Sequence, residues 1–381
     1  MLGRPALMTR HAGGVAMVDP LRVVRYYPRA LTGDGGMTHA VRRWSESTAE
    51  AGYLAAIAHD GGLPPVEPNK VHWVDLPHIG PTYARVPRGL DRVLRRGDIL
   101  VLHSGWTVAN LSAGELAWSG RVPYVLESRG AYDPHIVRRK RAVKRLWWMM
   151  GEGRLVHRAA AMHVFFQEES RHLEALGYQG PTIVVPNGVD SPAEPPWRGG
   201  SGELLWLGRF DAEHKGLDLL VQAVGLLAPA ERPRIRLQGP DRRGGRRRVK
   251  DLVRRAGLDK WIIIGPAVYG QSKRDLLTTC EGFLYPSRWD ACPNAVLESA
   301  ALGVPTLCGP YPLGTRLAAV AGAIQVDADP EAMADGLRRF GNRAEMSAMG
   351  TAGARLMREQ FSWSHVAVQW IRQIRNALGE R

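Results

Sequence analysis

Residues 203–227, ELLWLGRFDAEHKGLDLLVQAVGLL, contain the pattern that decides the fold. An uncharged apolar run, LLWLG, leads through a short charged loop into apolar residues at helical spacing, LDLLVQAVGLL. A buried strand that runs directly into a helix is the repeating unit of parallel sheets covered by helices. Because the same alternation begins at residue 21 and restarts after residue 203, the sequence predicts an α/β protein with parallel sheets.

A change of composition divides this alternation into two halves. The stretch SPAEPPWRGGSGE (191–203) holds three prolines and three glycines and shows almost no periodicity, which is typical of a linker. We therefore predict two doubly wound α/β domains. The predicted segments are a loose N-terminal extension (1–20), a first domain (21–190), a linker (191–202), a second domain (203–355) and a C-terminal helix (356–381) that packs back on the first domain.

The composition excludes several classes of protein. Hydrophobic residues make up 45% and charged residues 23%, which argues against a disordered or fibrous chain. The 51 Lys and Arg outnumber the 37 Asp and Glu, so the net charge is +14. Such a surplus lies on the surface and attracts phosphates, nucleic acid or an anionic membrane.

Cysteine use and hydropathy indicate the compartment. Three cysteines fit neither a disulfide framework nor a zinc site, which favours a reducing cytoplasm. No run reaches the roughly 18 uncharged apolar residues of a membrane span. We therefore expect a cytoplasmic protein.

The loop that follows the strand in residues 203–227 carries two cations. Arg209 stands at the end of the strand, and Lys215 lies six residues later, where the helix begins. Two cations beside a helix N-terminus suit a pyrophosphate, because the backbone amides and the helix dipole add to their charge. A solvated loop with ordinary surface cations is the alternative for this pair alone.

Two carboxylates mark the second candidate region, YPSRWDACPNAVLESAALGVPTLCG (285–309). Asp290 lies in the loop after a predicted strand, and Glu298 lies inside the following helix. The small residues around that helix start leave amides to face a phosphate, and a carboxylate further along can accept hydrogen bonds from sugar hydroxyls. The alternative is a loop residue and a solvent-facing glutamate.

Four motifs follow one another in the order and spacing of a known family: Gly208–Arg209, Lys215–Gly216, Asp290–Glu298 and Gly303–Val304–Pro305. They resemble the nucleotide-sugar half of the retaining GT-B glycosyltransferases of family 4, also called group 1. The resemblance extends more weakly over about residues 21–375. It implies the GT-B fold, in which two doubly wound Rossmann-like domains face a central cleft.

The resemblance also implies roles for individual residues. Arg209 and Lys215 would neutralise the donor diphosphate, and Glu298 would hold ribose hydroxyls. Asp290 takes the position of the family's first Glu, near the transferred sugar, but its side chain is one methylene shorter. The other expected contacts to the donor are the amides of Asn294, Ala295 and Val296 and the close backbone approach of Gly35 and Gly36.

The family needs no metal, so no cofactor is expected beyond the nucleotide-sugar co-substrate. The sequence Asp327–Ala328–Asp329 matches the D-x-D metal motif of the other large transferase fold. Because it precedes Pro330, we interpret it as a helix cap. His157 and His163 lie six apart on what reads as an apolar helix and are expected at the edge of the core.

The first domain departs more from the family. After the predicted strand PYVLES this chain has Arg129–Gly130, where many relatives have a histidine. Here it resembles a polysaccharide-assembly subgroup. Arg129 is suited to stabilising a negative leaving group, to binding an anionic acceptor or to bracing a loop, and these readings stay open. His103, after the preceding strand, is expected to be structural.

Residues 138–148 form a basic stretch with six cations ahead of Trp147 and Trp148. Such a helix suits an anionic membrane surface with its tryptophans at the interface. The alternative is a solvated face whose tryptophans turn into the core. A second basic run, 241–255, is expected on the outer face of the second domain. No nucleic-acid motif accompanies either run, so nucleic acid is not the expected partner.

The sequence thus predicts a retaining glycosyltransferase that moves a sugar from a nucleotide-sugar donor to a glycan or lipid-linked glycan acceptor. The subgroup resemblance points to exopolysaccharide or cell-envelope biosynthesis at the inner face of the plasma membrane. A sugar phosphorylase or a nucleotide-sugar epimerase on the same fold is one alternative. A non-catalytic protein that binds nucleic acid or membrane is another.

Overall fold

The computed structural model describes residues 21–29, 35–62, 70–81 and 84–379. The chain forms two compact units: the first runs up to Pro186 and includes the residues from Val366 onward, and the second comprises Asn187–His365. Each unit contains a parallel sheet with helices between its strands. The predicted class, two α/β domains with parallel sheets, is therefore confirmed. The predicted extension, 1–20, lies outside the described residues.

The first unit is built on a seven-stranded sheet in the order β3-β2-β1-β6-β7-β8-β9, in which all neighbours are parallel. A short antiparallel pair, β4 and β5, stands apart from it. The strands are β1 (Arg22–Tyr27), β2 (Leu54–His59), β3 (Val71–Asp75), β4 (His78–Ile79), β5 (Val86–Pro87), β6 (Asp98–His103), β7 (Tyr124–Glu127), β8 (Ala161–Val164) and β9 (Thr182–Val184). The helices are α1 (Gly36–Glu50), α2 (Leu90–Val93), α3 (Val108–Ser119), α4 (Pro134–Arg138), α5 (Arg141–Trp147), α6 (Gly153–Arg158) and α7 (Gln167–Glu174), with a π-helical turn at Trp148–Glu152.

The second unit is built on a six-stranded sheet in the order β12-β11-β10-β13-β14-β15. Its strands are β10 (Glu203–Leu207), β11 (Arg234–Gln238), β12 (Ile262–Gly265), β13 (Gly282–Tyr285), β14 (Thr306–Cys308) and β15 (Ile324–Gln325). Its helices are α8 (Leu217–Leu226), α9 (Gly245–Arg255), α10 (Gly270–Thr279), α11 (Asn294–Ala301), α12 (Pro312–Ala319), α13 (Pro330–Arg338) and α14 (Arg343–Gln360), with a 3₁₀ turn at Arg339–Gly341; the last helix, α15 (Trp363–Ala377), begins here and ends in the first unit.

Both sheets are doubly wound, because the strand order reverses once within each. In the first unit the reversal falls between β1 and β6, and in the second it falls between β10 and β13. Ligands of such sheets bind beyond the carboxyl ends of the strands that flank the reversal. The strands there are buried runs that contain Leu100 and Trp206, and these hold the loops of each site in place.

The chain passes from one unit to the other at two places, after Pro186 and after His365. Residues 191–202, predicted as a linker, lie against the second unit: the indole Nε1 of Trp197 donates to the carbonyl of Cys280 at 2.8 Å. The helix α15 carries Trp370 into the core of the first unit, where its ring lies 6.4 Å from that of Trp44.

Two local predictions are wrong. Residues 138–148 are not one helix, because Lys140 adopts a left-handed conformation (φ 55°) that separates α4 from α5. His163 does not share a helix with His157 but lies in β8, an interior strand that pairs with β7 and β9. Within the described ranges, no helix is both long and apolar enough to span a lipid bilayer.

Candidate functional site

The candidate site of the second unit lies where its strand order reverses. Arg209 follows β10, and Asp290 lies in the loop after the adjacent strand β13. The doubly wound topology thus brings the loops that contain these two residues to the same edge of the sheet.

Lys215 and Asp290 form a buried ion pair. The Nζ of Lys215 donates to Asp290 Oδ2 at 2.5 Å and to the hydroxyl of Tyr285 at 2.9 Å, and that hydroxyl donates to Asp290 at 3.2 Å. Burial disfavours the charged form of Lys215, but Asp290 and Tyr285 outweigh it and raise the pKa of Lys215. Burial also opposes the ionised form of Asp290, yet Lys215 lowers the pKa of that carboxyl. Both groups are therefore charged at neutral pH.

The position directly after Lys215 requires glycine, and Gly216 occupies it. Its φ is +64°, and a Cβ there would lie 1.9 Å from the carbonyl oxygen of Pro286. Only glycine permits both the left-handed conformation and the close approach of the two loops. The start of α8 is therefore pressed against the loop that carries Asp290, and Ser287 Oγ adds a hydrogen bond of 2.9 Å to the carbonyl of His214.

His214, the residue before Lys215, stacks on Trp289, the residue before Asp290. The two rings are 4.7 Å apart and almost parallel, at 3°, and Nε2 of His214 lies 2.9 Å from the carbonyl of Trp289. Burial and then the charge of Lys215 lower the pKa of His214 to about 4. The imidazole is therefore neutral at pH 7 and donates Nε2–H to that carbonyl.

Arg209 is the cation that remains available. Its side chain is exposed, and it makes no ion pair or hydrogen bond with any residue that the structure describes. An exposed guanidinium presents its donors in a planar fork that matches phosphate oxygens. Of the two predicted cations, Arg209 is thus open to a ligand, whereas Lys215 is already paired.

The start of α11 offers one unsatisfied amide. Pro293 stands at the cap position, and no side chain caps the helix. The N–H of Val296 donates to the carbonyl of Pro293 at 3.0 Å, whereas the N–H of Ala295 has no acceptor among the described residues. The side chain of Asn294 accepts a hydrogen bond of 3.0 Å from Asn187. Of the predicted phosphate contacts, the amide of Ala295 is therefore the one presented to a ligand.

Glu298 lies one turn further along α11 and is partly exposed. Its carboxylate pairs with Nζ of Lys273, which comes from α10. Lys273 could not be predicted from the sequence, because nothing in its spacing connects it with Glu298. Tyr285, His214 and Trp289 were not predicted either; their only signal was their position near Lys215 and Asp290 in the chain.

In the first unit, Gly35 and Gly36 stand at the start of α1, after β1. Gly35 has a φ of −65°, which any residue adopts, and a Cβ there would meet no atom of a described residue within 4 Å. Neither the backbone nor the packing of the described residues demands glycine at this position. A close backbone approach to a ligand is compatible with this arrangement.

Arg129 pairs with a buried carboxylate of its own unit. Its backbone is left-handed, with φ 48°, and its guanidinium lies 2.7 Å from Oε1 of Glu127. Nδ1 of His103 lies 3.0 Å from Oε2 of the same residue. Burial opposes ionisation of Glu127, but Arg129 and His103 outweigh it and hold its pKa well below the usual range. This contact braces the loop after β7 and orients Arg129 at the carboxyl edge of the sheet.

Within the described ranges, no group of three His, Cys, Asp or Glu side chains is placed to hold a metal ion. Asp329 accepts a hydrogen bond of 2.9 Å from the N–H of Ala332 and caps α13. The interpretation of the D-x-D sequence as a helix cap is therefore confirmed.

Two family models match the two units of the chain. The model described as glycosyl transferase 4-like domain matches residues 35–188, and the model described as glycosyl transferases group 1 matches residues 201–342. Together they span most of the chain. The protein is therefore a glycosyltransferase and belongs to the group 1 family.

Solved structures of glycosyltransferases share the fold. Sucrose-phosphate synthase from Thermosynechococcus elongatus is similar with 18% identity and a TM-score of 0.73, over 94% of this chain and 100% of that one. HepE of Anabaena, in complex with UDP and glucose, matches with 12% identity, a TM-score of 0.73 and the same coverage. WaaG, a glycosyltransferase involved in lipopolysaccharide biosynthesis, matches with 13% identity and a TM-score of 0.68, again over 94% and 100%. These similarities identify the fold as GT-B. No curated protein sequence matches the chain.

Proposed function

We propose that this glycosyltransferase takes a sugar from a nucleotide-sugar donor and transfers it, with retention at the anomeric carbon, to a glycan or lipid-linked glycan in polysaccharide or cell-envelope assembly. The observation that carries the proposal is the set of groups at the reversal point of the second sheet. It combines an exposed cation (Arg209), an unsatisfied helix amide (Ala295) and an ionised pair (Lys215 and Asp290).

These groups suit a departing nucleoside diphosphate. Arg209 would contact the phosphate oxygens with its guanidinium fork, and the N–H of Ala295 would donate to them from the start of α11. Lys215 adds a fixed positive charge in a buried setting, where electrostatic stabilisation of a leaving group is strong. We propose that Arg209 and the amide of Ala295, with Lys215 shared between Asp290 and the phosphates, hold the diphosphate without a metal ion.

The carboxylates suit the rest of the donor. Glu298 lies one turn along α11 from the unsatisfied amide. It would accept hydrogen bonds from ribose hydroxyls once its ion pair with Lys273 breaks. Asp290 stands beside Lys215, so we assign it to fixing the lysine against the phosphate and to contacting the transferred sugar. The geometry of Arg129, held by buried Glu127, suits a positioned cation on the acceptor side.

Solved structures with a similar fold support the choice of donor and of pathway. HepE of Anabaena has been crystallised with UDP and with UDP-glucose, and WaaG acts in lipopolysaccharide biosynthesis. A uridine diphosphate sugar is therefore the first donor to test. We further propose that the enzyme acts in the cytoplasm, since Cys280, Cys292 and Cys308 are all buried and none forms a disulfide with a described residue.

The test begins with thermal unfolding in the presence of UDP-, GDP- and ADP-sugars, because a ligand of the folded state raises the unfolding temperature. The sugar that stabilises the protein is then incubated with and without glycan acceptors, and the product is analysed by proton NMR. We expect transfer that depends on the acceptor and keeps the anomeric configuration. Consumption of donor by inorganic phosphate, epimerisation without acceptor, or an inverted product would overturn the proposal.

A further inference from the structure

The stretch from α4 to the π-helical turn forms a surface outside the candidate donor site of the second unit. Of the twelve large hydrophobic side chains exposed in the described part of the chain, four lie within residues 143–150. They are Val143 (60% exposed), Leu146 (54%), Met149 (68%) and Met150 (67%). Scattered single apolar residues are normal on a protein surface, but four within two helical turns form a patch.

The tryptophans and the methionines of this stretch differ in exposure. Trp148 turns inward, where its ring lies 6.2 Å from that of Trp106, and Trp147 donates its indole N–H to Glu152 at 3.1 Å. The predicted interfacial tryptophans are thus partly buried. The next two side chains, Met149 and Met150, are exposed, and the helix kinks directly after them at Gly151.

Buried contacts hold this turn in place. The carboxylate of Glu152 accepts hydrogen bonds from the hydroxyl of Tyr132 at 2.7 Å and from the N–H of Trp106 at 2.8 Å. Nζ of Lys144 lies 4.1 Å from the centre of the Trp106 ring, on the inner side of α5. The exposed apolar side chains therefore project from a fixed framework.

Unpaired cations surround the apolar patch. No Asp or Glu occurs between residues 134 and 151. Five basic side chains are exposed and form no ion pair with any described residue: Arg138, Arg139, Lys140, Arg141 and Arg145. We call residues 138–150 the basic–apolar surface.

We propose that the basic–apolar surface docks the protein on an anionic lipid bilayer. The four apolar side chains would enter the headgroup region, and the five cations would contact lipid phosphates. An interfacial element needs both features on one face, since apolar burial and attraction to anionic lipid add. Nucleic acid needs the cations but offers no apolar layer for methionine and leucine. The inference is independent of which sugar the enzyme transfers.

A second basic helix provides the internal contrast. The helix α9 carries exposed Arg247, Arg248 and Lys250, yet its valines, Val249 and Val253, are buried. It has charge without an exposed apolar patch. A docking mode that needs both features predicts that α9 contributes little.

The experiment measures binding of the full chain to vesicles by co-sedimentation, with phosphatidylcholine alone and with added phosphatidylglycerol. We expect binding only to the anionic vesicles. The variant Arg138→Gln/Arg139→Gln/Arg141→Gln should weaken it on the order of a hundredfold, because each cation near an anionic surface contributes roughly fivefold. The matched control Arg247→Gln/Arg248→Gln/Lys250→Gln, with the same change of charge, should bind almost as the wild type does.

The apolar variant Leu146→Ser/Met149→Ser/Met150→Ser keeps every charge and should weaken binding roughly tenfold. All three side chains are exposed, so the unfolding temperature should stay close to that of the wild type. The proposal fails if the anionic vesicles do not bind, if both charge variants lose binding equally, or if the serine variant binds as the wild type does. It also fails if duplex DNA binds more tightly than the vesicles and with the same dependence on Arg138, Arg139 and Arg141. Each of these readouts is independent of sugar transfer, so its outcome is separate from that of the proposed function.

Discussion

The Nζ of Lys215 lies 2.5 Å from Oδ2 of Asp290, so a cation predicted to meet a diphosphate already holds a carboxylate of its own chain. A donor must therefore share Lys215 with Asp290 or displace it. Arg209, exposed and unpaired within the described residues, is the cation that a diphosphate can contact without breaking an internal bond.

Removing one partner of the buried pair should destabilise the second unit strongly. Lys215→Met leaves an ionised Asp290 without its partner, and Asp290→Asn does the same to Lys215; each should cost about 3–5 kcal/mol. The double variant leaves no unpaired charge, so its cost should be well below the sum. Denaturant unfolding of the four proteins gives the coupling energy. If the loss of stability in the double variant equals the sum of the losses in the two single variants, Lys215 and Asp290 contribute to stability independently.

Arg209→Ala should weaken binding of the donor without affecting the fold. A hydrogen bond to a charged group contributes about 1.5–3 kcal/mol, so affinity for the best nucleotide of the panel should fall roughly 10- to 100-fold. The unfolding temperature should not change, because the side chain is exposed and makes no internal bond. Calorimetric titration measures the affinity. Arg255→Ala, an exposed arginine in the last turn of α9, is the control, and an equal loss in both variants would remove Arg209 from the site.

His214 should make the second unit less stable in acid. Its folded pKa, about 4, lies below the ordinary value of 6.5, so between these pH values the unfolded chain binds a proton that the folded chain does not. This contribution is complete above pH 6.5 and is lost as the pH falls toward 4, by about 3 kcal/mol in total. His214→Gln should have a shallower acid slope in unfolding experiments from pH 7 to pH 4. Identical slopes would mean that His214 titrates normally.

Glu169 should make the first unit less stable as the pH rises, the opposite of the effect of His214 on the second unit. Burial outweighs the hydrogen bonds from the amides of Phe165 and Phe166 and raises its pKa to about 7. The folded chain keeps a proton that the unfolded chain loses above about pH 4.5, so this stabilisation is full below pH 4.5 and is lost as the pH rises to 7. Glu169→Gln, which resembles the protonated acid, should be more stable than the wild type at pH 8. A wild type that is the more stable of the two at that pH would contradict this.

Gly216→Ala should disrupt the site through the backbone. The new Cβ would lie 1.9 Å from the carbonyl oxygen of Pro286, at a φ that alanine disfavours, so the loop before Asp290 must move. We expect a lower unfolding temperature and loss of transfer. Gly225→Ala in α8 is the matched control: no atom of a described residue lies within 4 Å of the new Cβ, and alanine favours a helix by about 1 kcal/mol. Equal behaviour of the two variants would show that the close approach is dispensable.

The fold was predictable because its strands are continuous apolar runs between helices, as in residues 203–227. The failures are local. Apolar and basic residues keep a helical spacing across residues 134–149, so the left-handed turn at Lys140 leaves no trace in that spacing. The strand β8 is four residues long and contains His163, and so short a run does not distinguish a strand from part of a helix.

The order of the motifs places Arg209, Lys215, Asp290 and Glu298 near one edge of the second sheet, but their roles in binding the donor remain predictions. The sequence did not predict which of the two cations, Arg209 or Lys215, would have an internal ion-pair partner. The pairing of Lys215 with Asp290 depends on burial and on Tyr285, and the pairing of Glu298 with Lys273 joins two helices. These two ion pairs join residues that lie 25 and 75 positions apart in the chain. They depend on how the side chains pack, and a linear motif does not encode that packing.

The crossing of α15 from one unit to the other has a consequence for biosynthesis. Trp370 and its neighbours lie in the core of the first unit, so residues 187–365 are an insertion between the long first segment and the short last segment of that unit. During synthesis, the second unit can therefore fold while the first unit still lacks the buried side chains that α15 contributes to its core. We therefore expect the first unit, most of which is synthesised first, to finish folding last.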